Sequence, residues 1–312
     1  MSNSTTQTPW ALGIDLGGSS MKWVAVTATG ALMDSRRAEF DPEVPGAFKQ
    51  AIQREVTACR ERHGEPDRIG ASAPGLAARD GRSIAVMPGR LAGLEGWIWS
   101  EFLQRSDEVP VLNDGHAALL GETWTGAARG CRDAILLTLG TGVGGAALVD
   151  GRLLRGFTGK GGHFGHMSLD PAGFPDICGA PGSLEDAIGN HNIRERSDGR
   201  FETTWQLIEA VREGDDAARA VWDRSLLALG AAIASLTNCL DPEVVILGGG
   251  IAAADDLLFP PIQHLLDRFE WRPTGYAARL VPASLGSLAG AWGAARNALG
   301  SHAKIRSSTP EA

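Results

Sequence analysis

The chain runs to 312 residues, 43% of them hydrophobic and 21% charged, with 37 acidic against 29 basic side chains for a formal net charge of −8. That length passes the point at which a single hydrophobic core usually stops growing, so two domains are expected. An acidic balance spread along the chain excludes the concentrated positive surface on which nucleic-acid backbone binding depends, while leaving room for an anionic ligand held locally by backbone N–H groups.

The N-terminal MSNSTTQTPW is polar and lacks the basic start and apolar run of a secretion signal. WALGIDLGG (10–18) then reads as a buried strand, and SMKWVAVTATGALMDSR as two more strands turning at Thr29–Gly30. Phe48, Ile52 and Val56 recur at helical spacing, which predicts a helix within 46–63. RIGASAPGLAARDGRSI (68–84) is expected to be a strand entering a Pro-Gly loop, WSEFLQRSD a short helix, and VPVLNDGHAALLGETW a strand running into a helix. Strands and helices in alternation argue for α/β layers.

AILLTLGTGVGGAALVDGRLLRG (134–156) repeats the plan of residues 11–36: apolar strand, glycine turn, second strand, turn, third strand. At a constant offset Asp15-Leu16-Gly17 lies over Thr138-Leu139-Gly140, which points to an internal duplication and two lobes of like topology. Beyond 185 the chain reads as mostly helical, with two helices in the stretch from Phe201 to Leu240, a buried strand in EVVILGGGI (243–251) and a late helix in GSLAGAWGAARNAL. The longest apolar run, LLALGAAIASLTNCL (226–240), is broken by Ser235, Thr237 and Asn238 and falls short of the ~20 residues that span a bilayer, so no membrane is expected. Cys59, Cys131, Cys178 and Cys239 are scattered without a C-x-x-C pair, as in a reduced, cytoplasmic protein.

Three glycine turns close strands. In DLGGSSMK (15–22) a carboxylate precedes two glycines and small hydroxyl residues, so backbone N–H groups can reach a phosphate and Asp15 can hold a metal ion through water. A tight hairpin explains the segment equally well, and no G-x-x-x-x-G-K-[ST] exists in the chain to make a P-loop. LGTGVGG (139–145) offers similar backbone chemistry, but a strand follows it where a dinucleotide fold requires a helix. ILGGGIA (246–252) ends a strand in three glycines that either admit the face of a base or start a helix. Asn113-Asp114, at a strand-to-helix junction, supplies either a general base for an alcohol or merely a helix N-cap.

DLGGSSMK, NDGHAALLGE, LTLGTGVGGAALVDG, GGHFGHMSL, CGAPGSLED and VVILGGGI together resemble the motifs of the ROK family, in order and spacing, over about residues 10–300. That family comprises bacterial sugar kinases and transcriptional repressors of the actin-like, sugar-kinase ATPase fold. The resemblance implies duplicated, ribonuclease H-like α/β lobes: a small one of residues 1–117 with the C-terminal helix at about 290–312, and a large one of 118–289. It further implies ATP with Mg²⁺, a sugar substrate, a homodimer, and glucokinase-like transfer to the C6 hydroxyl of a hexose. Asp114 becomes the general base and Asn113 a hydroxyl contact, with Pro74-Gly75 matching a sugar-side loop. Asp15, Gly17, Gly18, Ser19 and Lys22 fall on the first phosphate motif, Gly140, Thr141 and Gly142 on the second, and Gly248, Gly249 and Gly250 on the adenosine side. The repressor branch carries an N-terminal helix-turn-helix domain, for which a phosphate strand starting by residue 10 leaves no room.

This sequence departs from the family in one region. Where the family has G-E-x-G-H, it has His163 in the Glu position and His166 in the His position; Glu185 matches a further sugar-binding Glu. The family's C-x-C-G-x-x-G-C-x-E, whose thiolates join the His around a structural zinc, reads DICGAPGSLE, with Asp176, Cys178 and Ser183 in the three cysteine positions. Such a His-Asp-Cys-Ser set is a poor zinc site, so no metal is expected there and hydrogen bonds and packing around Pro175 and Pro181 are expected instead. A neutral imidazole at 163 has one donor and one acceptor where a carboxylate has two acceptor oxygens. An amino sugar or a cyclitol is therefore an alternative to glucose, and His163 facing away is the alternative to that. A non-catalytic sugar sensor and an enzyme using polyphosphate are further readings. Trp97 and Trp99 either stack on a sugar or pack the lobe, and His116 is expected on the helix surface.

Overall fold

A computed structural model describes residues 8–87 and 91–300. Its contacts divide the chain into two compact units, one of Met1–Arg129, Gly156–Lys160 and Ser287–Ala312, the other of Gly130–Arg155 and Gly161–Gly286.

In the first unit, strands β1 (Trp10–Leu16), β2 (Ser20–Thr27) and β3 (Leu32–Glu39) are followed by helix α1 (Ala47–His63), β4 (Arg68–Ala73), a small hairpin of β5 (Leu76–Ala77) and β6 (Ile84–Val86), helix α2 (Trp99–Phe102), β7 (Val111–Asn113) and helix α3 (Asp114–Trp124). The sheet order is β3-β2-β1-β4-β7, antiparallel across β3-β2-β1 and parallel across β1-β4-β7. Every residue of β1 is buried, which is why WALGI reads as an unbroken apolar run rather than an alternating one, with Asp15 the single polar side chain of the strand. On one side of the sheet α1 buries Phe48, Ile52 and Val56, as their spacing predicts, together with Ala51 and Cys59.

The second unit repeats the plan. It contains β8 (Ala134–Leu139), β9 (Val143–Val149), β10 (Arg152–Leu153), short helices α4 (Leu184–Ile188) and α5 (Ile193–Arg196), α6 (Thr204–Arg212), the long α7 (Asp216–Leu240), β11 (Val244–Gly248), α8 (Phe259–Phe269) and β12 (Arg279–Pro282). Its sheet order, β10-β9-β8-β11-β12, has the same antiparallel and parallel halves as the first. The internal echo of the sequence is thus a duplicated sheet. Helix starts follow the local chemistry: Asp215 caps α7 by accepting from the Ala218 N–H, and Thr203 with Gln206 forms a capping box on α6.

The final helix, α9 (Ala289–Gly300), returns to the first unit and packs on β1, β4 and α3. Its glycines and alanines permit that closeness: the Ala117 carbonyl occupies the place where a Cβ on Gly293 would sit. Because α3 packs along α9, the compact units divide after Arg129 and keep α3 whole, whereas a division at residue 117 would run through that helix. The hairpin β5–β6, the helix α8 within the helical C-terminal half and the edge strand β12 were not resolved by the sequence pattern.

Candidate active site

At the end of β1, Asp15 is buried and pairs in register with Ser72 of β4 and Lys22 of β2. The Ser72 hydroxyl donates to its Oδ1 at 2.9 Å, and the Lys22 ammonium lies 3.9 Å from its Oδ2. Burial pushes the Asp15 carboxyl up to about 6; Lys22 and the Ser72 hydrogen bond pull it down, and the negative charge of Asp114 adds to the rise. The turn itself is a four-residue hairpin closed by Gly17 N–H donating to the Ser20 carbonyl at 2.8 Å, which leaves Gly18 and Ser19 exposed.

Asn113 and Asp114 divide their labour. Asn113 is the N-cap of α3, its Oδ1 accepting from the N–H groups of Gly115 and His116 at 2.9 and 3.3 Å. Its Nδ2 donates to the Gly75 carbonyl at 2.9 Å and to Asp114 Oδ1 at 2.8 Å. The side chain expected to contact substrate is therefore spent in holding the Pro74-Gly75 loop and the carboxylate beside it. Asp114 opens the helix, exposed, with its Oδ1 also accepting from the Gly115 N–H at 2.8 Å. His116 is buried at 1% exposure, not on the helix surface, because α3 is covered on that side. Trp99 is fully buried and Trp97 stacks against it and against Phe48 and Phe102, so both are core rather than platforms for a ligand.

In the second unit the turn after β8 is tighter, closed by Gly140 N–H donating to the Gly142 carbonyl at 2.9 Å, with Thr141 exposed. The segment from Glu185 to His191 grips it. Glu185 Oε2 accepts from the Val143 N–H at 2.9 Å, Asn190 N–H donates to the Gly140 carbonyl at 2.9 Å, and His191 N–H to the Thr141 carbonyl at 2.8 Å. The His191 ring also meets the Thr141 carbonyl, at 2.8 Å, and Asp186 at 2.8 Å. Gly142 leaves room for this contact: a Cβ on it would overlap the Glu185 carboxylate, which would have to shift. Gly140 and Thr141, with Gly250 and Ile251 from the glycine run after β11, line a cavity of about 340 Å³ whose remaining wall includes Asn190, Thr204, Trp205 and Ile208. Gly248 closes β11 buried, while Gly249 and Gly250 are exposed. None of the four residues from 190 to 208 was foreseen; the available signal was Trp205, an exposed aromatic on an otherwise amphipathic helix.

His163 precedes and His166 ends a single 3₁₀ turn, Phe164–His166, and both are half-buried. His166 Nδ1 pairs with Asp176 Oδ2 at 2.8 Å, and Cys178 Sγ lies 3.5 Å from its Nε2. Burial pushes the Asp176 carboxyl up, but the hydrogen bonds from His166 and from the Ala180 and Cys178 N–H groups outweigh it and hold it below its ordinary value. Burial and the charges of Asp176 and Glu185 raise the Cys178 thiol. Ser183 is the N-cap of α4, accepting from the Asp186 N–H, and so presents Glu185 in the first turn of that helix.

The ROK family model matches residues 11–300. The chain belongs to the ROK family. A glucokinase from Halalkalibacterium halodurans is 30% identical, with 91% of this chain and 93% of the relative covered. Among solved structures, a ROK hexokinase from Thermus thermophilus superposes with a TM-score of 0.78 at 29% identity, covering 93% of this chain and 97% of that one. A ROK glucokinase from Streptomyces griseus, in complex with glucose and AMPPNP, gives a TM-score of 0.74 at 26% identity over 93% and 99% of the two chains. The duplicated sheets are accordingly those of the actin-like ATPase fold of ROK sugar kinases. Among the described residues no helix is long and apolar enough to cross a membrane.

Proposed function

We propose that this ROK protein transfers the terminal phosphoryl group of ATP to a hydroxyl of a hexose or hexose-like polyol, with Asp114 as general base. The observation that carries the reading is the split between two neighbours: Asn113 caps α3, so Asp114 is relieved of that duty and is held by Asn113 Nδ2 as an exposed carboxylate. A sugar alcohol is too weak an acid to ionise unaided. Asp114 accepts its proton as the oxygen bonds to phosphorus and ADP leaves, while N–H groups of the glycine turns receive charge developing on the phosphoryl oxygens.

The residues suit a cation at Asp15, whose carboxyl is raised by burial and by a second carboxylate nearby. Mg²⁺ bound there through water would offset phosphate charge. The cavity beside Gly140 and Gly250 supports a nucleoside rather than a bare polyphosphate, because Trp205, Ile208 and Ile251 give it apolar surface suited to a base.

The sugar is set by different residues. Glu185 offers a carboxylate while His163 offers an imidazole, so an amino sugar or a cyclitol should compete with glucose. ADP release measured over glucose, amino sugars and cyclitols, for the wild type and Asp114→Asn, tests all of this. A loss of about 10²–10⁴-fold in kcat is expected for the variant. Full activity in it removes Asp114 from the role, glucose as clearly the best substrate removes the shift attributed to His163, and sugar binding without turnover leaves a sensor.

A further inference from the structure

The family's structural zinc is held by three thiolates and a histidine, and the residues standing in those places here do not fit it. The Asp176 side chain is 0% exposed, and both its oxygens are already engaged. Oδ2 accepts from His166 Nδ1 at 2.8 Å, and Oδ1 accepts from the N–H groups of Cys178 at 2.8 Å and Ala180 at 2.9 Å. The Cys178 sulfur sits at the other ring nitrogen, 3.5 Å from Nε2. Carboxylate and thiol thus flank different edges of the imidazole, although ligand atoms of all three residues lie within 4.8 Å of one another. The fourth position is spent, since the Ser183 hydroxyl caps α4. Structural zinc takes four N or S donors, and of these four residues only His166 and Cys178 offer one.

The loop between these residues is nonetheless closed. Pro175 and Pro181 form an antiparallel bridge, as do Ser168 and Ser183. Asp176 N–H donates to the Ala180 carbonyl at 2.9 Å, and Gly182 N–H to the Phe174 carbonyl at 2.8 Å. The side chain at the centre of this closure is a carboxylate that gathers three donors.

We propose that the Asp176 carboxylate does the work of the missing metal: without any bound ion, it ties the 173–182 loop together and fixes the His166 ring with its proton on Nδ1. Asp176 is a positioning residue, acting through His166. The closure of the loop stands on its own geometry; the consequence for sugar affinity rests on the kinase reading above. Asparagine is a discriminating replacement. It keeps the shape but has one acceptor oxygen, so its NH₂ must face either the imidazole N–H or two backbone N–H groups, donor against donor.

The test measures metal content and melting of the whole protein, purified from zinc-supplemented cells, with and without a chelator. The wild type should carry far less than one zinc, or any other divalent metal, per chain and should melt unchanged in chelator. Asp176→Asn should lower the melting temperature by about 5 °C. It should also raise the sugar KM several-fold with kcat little changed, and displace the His166 ring ¹⁵N signals from the Nδ1-protonated pattern expected of the wild type. Stoichiometric zinc in the wild type whose removal lowers the melting temperature overturns the proposal, as does an Asp176→Asn variant that melts with the wild type. A wild-type His166 with its proton on Nε2 overturns the positioning role. The wild-type measurements need no variant to fold. Should the wild type transfer no phosphoryl group at all, the kinase reading falls while metal content, melting and the ¹⁵N pattern still decide this one.

Discussion

The two hairpin turns at the heart of the duplication use one backbone for two kinds of chemistry. In the first unit, the last positions of β1 and its partners bring together Asp15, Lys22 and Ser72; the register-equivalent positions in the second hold Thr138, Gly144 and Gly248. One turn presents a carboxylate, an ammonium and a hydroxyl. The other has the hydroxyls of Thr138 and, at its tip, Thr141 but no charged side chain, and is one residue shorter. The carboxylates of Asp15 and the nearby Asp114 both lie in the first copy of the fold. The other turn lies beside a cavity of mixed polar and apolar lining and is braced by Glu185, Asn190 and His191. Duplication supplied the frame, and the side chains divided the labour.

The sharpest way to break this comparison is Asp15→Asn. It should cost kcat on the order of 10²-fold, if Asp15 helps to place the cation and the phosphates. It should at the same time stabilise the fold by about 1 kcal/mol at pH 7, because burial disfavours the ionised form. The sign follows from the shift. With its carboxyl raised from 3.8 to about 6, Asp15 favours the folded state most at acid pH, and that contribution is lost as the pH rises through about 6. Activity runs the other way, so kcat/KM of the free enzyme should fall as the pH drops through about 6. Thermal melting and kinetics from pH 5 to 8 check both; a variant both less stable and fully active would erase the distinction between the turns.

A smaller effect is expected in the backbone turn. Gly142→Ala forces the Glu185 carboxylate off the Val143 N–H and should raise the ATP KM by about 10–100-fold, the larger share of its effect falling on nucleotide rather than sugar. Initial-rate kinetics varying each substrate in turn would show it. The smallest is at the cavity wall. Trp205→Ala should weaken ATP about 10-fold through lost stacking, in line with ~1–3 kcal/mol per base on an aromatic surface. It should leave any polyphosphate-dependent rate unchanged, which separates the two donors.

How much of this was legible in the sequence depends on length and burial. β1, β8 and β11 announce themselves because a central strand covered on both faces is apolar along most of its length. The β5–β6 hairpin, with strands of two and three residues, and β12, a partly exposed edge ending in Pro282, are too short to express a period. At the site, Asn113-Asp114 was found by its junction of strand and helix, but which of the two would cap the helix was not, since both side chains suit the position. Nothing in a linear pattern places Trp205 beside Gly250, or sets Glu185 under a turn 42 residues earlier. Nor does the linear pattern show that His116 is buried, since that depends on what packs around α3, including α9 from the far end of the chain.

That last helix has a consequence for how the molecule is made. During synthesis the N-terminal sheet leaves the ribosome without the segment that belongs against β1 and β4. At about 5–20 residues per second, the stretch between the two parts of this unit takes roughly ten to thirty seconds to emerge. That interval is the synthesis of the second unit, contiguous but for one short excursion, and throughout it the first must wait with an apolar surface uncovered. The half of the protein translated first is thus the half completed last, and the step that completes it is the docking of a helix rich in glycine and alanine.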